Sequence, residues 1–569
     1  MAVIGQRRRR RPSGGQDTQL NEHSFPSFKD GYNSYAQTRS QIKDTEVSGG
    51  FNTRADDNGA MGKRKGRVAA SPVLASGYAV SALGTLKTAA GTLVKLASAG
   101  TGIYAYTDST STLLTGATLT PTTAKYCRFA QAIGRTYFCN GVDQPYYTTN
   151  GTTLTMQTGA FPMRFPVFYS QRLYCVRPAY PDRLYYSNPI AVDITTTGGE
   201  PAGYTASNFG TYSVNLAASP VQNAGFIIFV PDSGVTITDV ISKASATNDA
   251  IYVTTLENGI WEVVASASLN ANGTVSHTIR QVIKSGGVPA PLSVFPSDND
   301  LELFGSDNMY KLGEAALYQS LRNSPTSGRI QSDMRAIPAS LLADVAGVSF
   351  KNTSYIAYGL GTYNDHVVVR DRILNAWSTP YTGWNVSCLQ VVNETDGRQR
   401  LLAGSSNPSD SKVYELESGS DDAGTAIDAS VRFKNTDLGH PGRIKRTAFA
   451  NVSYSQIIGY VSYDVYIDGR LLKSDVWYAS QSGQSSAIGT GVAGGIGQTA
   501  VGKGVVGKDG AGTGSSVSVA TDSYFVIEVD YEPGEKIEIV MRDSTTSNSF
   551  KITRIDFYFD LGDQQERLI

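Results

Sequence analysis

The residues with the clearest chemical spacing lie toward the C-terminal end. Gly489, Gly491 and Gly494, and again Gly502, Gly504 and Gly507, match G-x-G-x-x-G, and two G-x4-G-K matches end at Gly502-Lys503 and Gly507-Lys508. Such loops cradle phosphates when they leave a strand and feed a helix N-terminus, and the lysine must be followed by Ser or Thr to hold magnesium. Here Gly504 and Asp509 follow, and no helix-forming segment succeeds either match. The stretch from Ser482 to Ser518 is dominated by Gly, Ala, Ser and Val, so the matches read as products of composition and the stretch as an extended loop. Either it projects to touch a neighbouring subunit, a channel or a host surface, with Gly494, Gly495, Lys503 and Lys508 as contacts, or it is solvated without a role.

Other chemistry lacks a carrier. His23, His277, His366 and His440 stand far from one another and from any cysteine at ligand spacing, so no metal site is expected. Asp56-Asp57 and Asp421-Asp422 lie in polar stretches and read as solvated turns rather than as a glycosidase pair. There is no G-x-S-x-G elbow, and no sialidase, WD or kelch signature. Cys127, Cys139, Cys175 and Cys388 include no CxxC pair and read as reduced, partly buried thiols. The expectation is a protein without catalytic activity, cofactor or metal.

The remaining electrostatic feature is N-terminal. Arg7, Arg8, Arg9, Arg10 and Arg11 run together, and residues 1–67 hold 13 Lys and Arg against 7 Asp and Glu, whereas the whole chain has net charge -1. Adjacent guanidiniums attract a phosphate backbone whatever its base sequence, and equally an acidic face of another subunit; a solvated tail is the third reading. No apolar stretch follows, so the run is no signal peptide, and a soluble chain made in a cytoplasm is expected. Residues 1–66 have no sustained apolar period and read as an extended basic arm without a core of its own. Phe25, Phe28, Tyr32 and Tyr35 are spaced to dock that arm into a partner's groove.

The elements that would carry these features are strands. Only 40% of the residues are hydrophobic, and 58 glycines and 32 tyrosines suit many short strands joined by tight turns. Seven hairpin patterns follow one another: GIYAYTDSTSTLL from Gly102, RTYFCNGVDQPYYTTNGTTLTM from Arg135, RLYCVRPAYPDRLYYSNP from Arg172, AIYVTTLENGIWEVV from Ala250, LELFGSDNMYKLG from Leu301, HVVVRDRILNAWSTP from His366 and RLLAGSSNPSDSKVYELE from Arg400. Their spacing is irregular. A propeller blade takes roughly 40 to 50 residues, so residues 67–420 predict an irregular β-propeller of roughly six to eight blades, closed between strands near 78 and near 415.

From 421 to 569 the pattern changes to longer alternating strands, which predicts a β-sandwich interrupted by the Gly-rich loop 482–518. Asp468-Gly469 is a type I′ hairpin signal between YDVYI and RLLKS, and Pro533-Gly534 marks another reversal. The fold class expected is all-β: an irregular β-propeller followed by a C-terminal β-sandwich, with an extended N-terminal arm.

YFCNGVDQPYYTTNGTTLT (Tyr137 to Thr155), RLYCVRPAYPDRLYYSNP and LSVFPSDNDLELFGSDNMYKLG (Leu292 to Gly313) resemble blade sequences of bacteriophage tail proteins of the nozzle, or tail-tube B, type. RIKRTAFANVSYSQIIGYVSYDVYIDGR and the closing KITRIDFYFDLGDQQER resemble their terminal β-domain. The resemblance implies a virion structural protein of a short-tailed phage, in a homo-oligomeric ring, a hexamer in such phages, below the portal and adaptor. Genomic DNA would leave through the bore with only transient, non-specific contact. Neighbours would be the adaptor, a fibre or spike, and the tip. The alternative is a receptor-binding tail protein or a glycan-active propeller. The long basic arm and the Gly-rich loop have no counterpart in that resemblance.

Overall fold

The computed structural model describes residues 20–35, 41–132, 134–157, 160–170, 172–187, 225–229, 234–243, 249–269, 275–321, 325–479, 519–547 and 549–561. Arg7 to Arg11 and the loop residues Gly494, Gly495, Lys503 and Lys508 lie outside the described residues.

Among the described residues seven small antiparallel meanders follow in chain order, six as separate sheets and the sixth in order as part of an 11-stranded sheet. Their first strands are Val80–Lys87, Arg128–Ala132, Arg164–Tyr169, Ile237–Lys243, Phe295–Ser297, Ala346–Phe350 and Val386–Asn393. Each first strand packs against the next, with the turn Pro291–Ser293 serving between the fourth and fifth blades, and the seventh returns to the first. The ring is therefore closed: a seven-bladed propeller, with one of the seven sequence hairpins in each blade.

Closure is made by Arg67–Ala69, which pairs antiparallel with Val413–Leu416 as the outer strand of blade 7 (Tyr414 opposite Ala69). The seam thus uses residues 67–69 rather than a strand near 78; Val80–Lys87 is instead the inner strand of blade 1.

A blade has two apolar faces and is stable only between neighbours. The core accordingly splits into clusters between blades. Leu86, Leu96 and Ile103 of blade 1 meet Phe138 and Leu154 of blade 2; Tyr137 and Cys139 meet Leu173 and Cys175; Tyr174 and Leu184 meet Ile237 and Ile251. On the seam side, Val80 and Ala97 meet Leu402 and Val413. The inner strands approach closely: a Cβ on Gly84 would lie 2.4 Å from the Phe129 ring of blade 2. Among the described residues blade 5 has three strands; the helix Leu312–Tyr318 follows the third and packs between blades 4 and 5.

The C-terminal part is a sandwich. One sheet orders Val519–Gly534, Lys445–Ile458 and Ser549–Leu561; the other contains Ala429–Phe433, Ile537–Asp543, Tyr460–Ile467 and Arg470–Tyr478. Tyr460–Ile467 alternates half-buried and buried throughout, as a strand with one face on a core requires. Asp468 and Gly469 both take positive φ (48° and 81°), the type I′ turn their sequence signals.

Residues 20–35 and 41–66 are extended but not free, which corrects for them the expectation of an arm awaiting a partner. Asn21–Phe25 pairs with Ser549–Leu561, and Thr53–Ala55 with Met61–Lys63 extends the same sheet. Gly31–Tyr32 and Glu46–Phe51 join the other. Gly31 also pairs with Trp377 on the outer strand of blade 6, so one 11-stranded sheet runs from the propeller into the sandwich. These strands are short and polar, and what they complete is a sheet whose other strands lie hundreds of residues away.

Candidate functional site

The described site candidates of the N-terminal segment converge on the junction of propeller and sandwich. Phe25, Phe28 and Tyr32 are buried in this chain's own core, with Phe25 edge-on to Phe557 at 5.3 Å and Phe28 4.8 Å from Phe433. They fill the groove that sequence spacing assigns to a partner. Tyr35 alone remains open, 60% exposed. Its backbone N–H donates to the Arg329 carbonyl (3.1 Å), beside Ser34, whose hydroxyl donates to Asp333 (2.7 Å). Burial raises the Asp333 carboxyl above the usual range, although its bonds from Ser34 and Tyr32 oppose the shift.

The basic run Lys63-Arg64-Lys65-Gly66-Arg67, part of the charge surplus of residues 1–67, also turns inward. Lys63 forms a buried ion pair with Asp543 of the sandwich at 3.0 Å. Arg64 uses all five of its N–H donors: Asp422 Oδ1 (2.8 Å) and Oδ2 (2.6 Å), Asn52 Oδ1 (2.8 Å), and the carbonyls of Lys65 (2.9 Å) and Thr382 (2.8 Å). Its guanidinium lies 4.5 Å from the Trp384 ring, and Trp384 Nε1 donates to Asp422 Oδ1 at 2.9 Å. Arg67 stacks on Tyr414 of blade 7 at 3.9 Å. One segment thus pins a sandwich strand, the turn at Asp422 and the third strand of blade 7. Asp422 is 8% exposed and structural, not the solvated turn its sequence suggests; Asp56 does make a turn, accepting from the N–H groups of Asn58 and Ala60.

A second cluster closes the propeller axis. The one-turn helices Ala124–Tyr126, Pro291–Ser293 and Leu342–Asp344 lead into blades 2, 5 and 6, on opposite sides of the ring, yet contact one another. Lys125 and Asp344 pair across this plug at 3.7 Å. Beneath it, Arg128 of blade 2 reaches Asp239 of blade 4 at 3.7 Å, passing Phe165 of blade 3 at 5.8 Å. Burial drives the Asp239 carboxyl up to about 7 against the opposing pull of Arg128. Phe165 takes positive φ (52°) where the blade 3 register shifts.

All four cysteines are buried and unpaired in the inter-blade cores. Burial pushes the Cys388 thiol up to about 11 and raises the other three, which makes them poor nucleophiles. Among the described residues no three His, Cys, Asp or Glu side chains gather as a metal-binding group, and no helix is long and apolar enough to cross a membrane.

Sequence reasoning missed the structural importance of Arg64, Asp422 and Asp239, because each acquires its partner from a distant strand. It also passed over the alternation of arginines and aromatics in RPAYPDRLYY, visible from Arg177 onward, as more than a hairpin.

No family model and no curated protein matches the sequence. Solved structures with a similar fold include BBS1N in complex with ARL6DN (11% identity, 62% of this chain and 97% of that one, TM-score 0.37). The Pan2 WD40 domain of Neurospora crassa is similar at 10% identity over 63% and 97% of the two chains, TM-score 0.32. An exo-β-1,3-galactanase of Phanerochaete chrysosporium matches at 8% identity over 78% and 97%, TM-score 0.22. At these values the propeller assignment rests on strand order and blade packing, and nothing about activity transfers.

Proposed function

We propose that this chain is a structural, non-enzymatic component of a bacteriophage tail, a subunit of a nozzle or hub ring below the portal and adaptor through which genomic DNA is ejected. The sequence resemblance motivates the reading, and one structural observation carries it furthest: propeller and sandwich are fused into a single piece by the Gly31–Trp377 pairing and the Arg64 latch. A wall that must hold its shape while a duplex passes needs such a junction. The plug at the propeller axis is consistent with DNA passing outside each propeller, through a bore between subunits. Adaptor, fibre or spike, and tip proteins would be its neighbours, and the virion its location.

The test is mass spectrometry and electron cryomicroscopy of purified particles of the phage that encodes it. Density for a seven-bladed propeller in the tail supports the reading, and particles complete without this chain overturn it. The second reading, a receptor-binding or glycan-active tail protein, is favoured by exposed tyrosines at the sandwich corner, Tyr478 and Tyr524. Glycan-array binding by the isolated protein would select it.

A further inference from the structure

Blade 3 carries a cationic platform on its outer strands. Arg177 lies 5.3 Å from the Phe161 ring and 5.2 Å from Tyr180. Arg183 lies 4.6 Å from Tyr180 and 5.1 Å from Phe226. Tyr185 completes the circuit, 5.6 Å from Phe226 and 5.0 Å from Phe161. Two guanidiniums are thus held between four rings; among the described residues the one carboxylate at hand is Asp182, 3.6 Å from Arg183. Among the described residues Arg177 has no carboxylate partner. Tyr180 and Ile228 are exposed beside them, 42% and 39%. Preformed Arg and aromatic anchors with exposed apolar neighbours are what the energetic centre of a protein interface is made of.

The complement is on the same chain. On the helix Leu312–Tyr318, Glu314, Leu317 and Tyr318 share one face by their spacing. Glu314 is exposed, Leu317 is 81% exposed and Tyr318 58%. Charge follows the same division among the described residues: blade 3 (160–187 and 225–229) holds four arginines against one aspartate, and blade 5 (291–321) holds five Asp and Glu against one lysine. The two surfaces lie on blades 3 and 5, with blade 4 between them in the ring.

We infer that the Arg177–Tyr180–Arg183 platform of one copy docks on the Glu314–Leu317–Tyr318 face of a second copy, a head-to-tail contact of two different surfaces. Such a contact propagates from copy to copy and forms a ring where the rotation between copies closes. The inference deepens the ring proposed above by naming the surfaces that join its subunits.

The experiment uses the full chain and three proteins, followed by sedimentation velocity at micromolar concentration. The wild type self-associates. Arg177→Glu with Arg183→Glu, and separately Glu314→Arg with Leu317→Arg, each weaken association by roughly tenfold or more, the scale of a lost interface anchor. Mixed in equal amounts, the two variants associate again, because each keeps one intact face for the other. Circular dichroism and melting temperature establish that both are folded; if either is not, Arg177→Gln with Arg183→Gln and Leu317→Ser replace them. A wild type that stays monomeric, variants that assemble unchanged, or a mixture that stays monomeric overturns the inference. Because association is read on the isolated protein, its failure leaves the tail assignment standing, and particles lacking the chain leave the contact standing.

Discussion

Arg64 meets Asp422 through two N–H···O bonds of 2.8 and 2.6 Å under the Trp384 ring, joining the segment that leads into the propeller to the segment that leaves it. Removing one partner strands a buried charge. Arg64→Met is expected to destabilise the protein by about 3 to 5 kcal/mol, measured by urea denaturation, whereas exchanging both partners for apolar residues should cost less.

Gly31 stands at positive φ (69°), and a Cβ there would lie 2.5 Å from the Trp377 carbonyl. Gly31→Val should cost on the order of 1–3 kcal/mol in backbone strain alone. Its signature is calorimetric: one unfolding transition separates into two as the sheet shared by propeller and sandwich parts at this bridge.

Asp239 gives a pH dependence with a definite sign. Its folded value, about 7, lies above the ordinary 3.8, so between those limits the folded protein keeps a proton that the unfolded chain releases. Its contribution to stability is full below about pH 4 and is lost as pH rises through 7. Asp239→Asn should flatten this part of the profile and leave the protein as stable as wild type, or more so, at pH 8. A steeper profile in the variant would count against it.

The segment 480–518 leaves and re-enters at one corner. The Ala479 N–H donates to the Gly459 carbonyl, and Val519 pairs with the adjacent Ile458. Replacing residues 480–518 with a linker of about four to six residues, an ordinary connection length, should leave the melting temperature within a few degrees of wild type.

Truncation separates the two parts of the N-terminal segment. Removing residues 1–19 should leave the melting temperature unchanged. Removing residues 1–66 takes away Phe25, Phe28 and Arg64 and should yield insoluble or molten protein, by near-UV circular dichroism.

The propeller was legible because each blade announces itself locally: an alternating strand, a Gly or Asn turn, and an aromatic strand, as in Arg172–Arg177 and Tyr180–Tyr186. The Asp468-Gly469 hairpin was legible for the same reason. The junction was not. Gly31–Tyr32 is two residues long and carries no period, and nothing near Phe25 in sequence indicates that Ile555 faces it. Asp422 sits in a run of small polar residues that reads as solvent-exposed until Arg64 arrives from 358 positions away.

The closing strand Arg67–Ala69 has a consequence for synthesis. It leaves the ribosome before any blade exists, and its partner Val413–Leu416 follows only after six blades have emerged. Asn21–Phe25 waits longer still, for Ser549–Leu561. The earliest residues are therefore the last to pair, and the nascent chain carries Phe25 and Phe28 uncovered through most of its translation. Contacts so distant in sequence form slowly and leave apolar surface open to chaperones meanwhile. A chain built this way acquires its finished shape only once Ser549–Leu561 has been made.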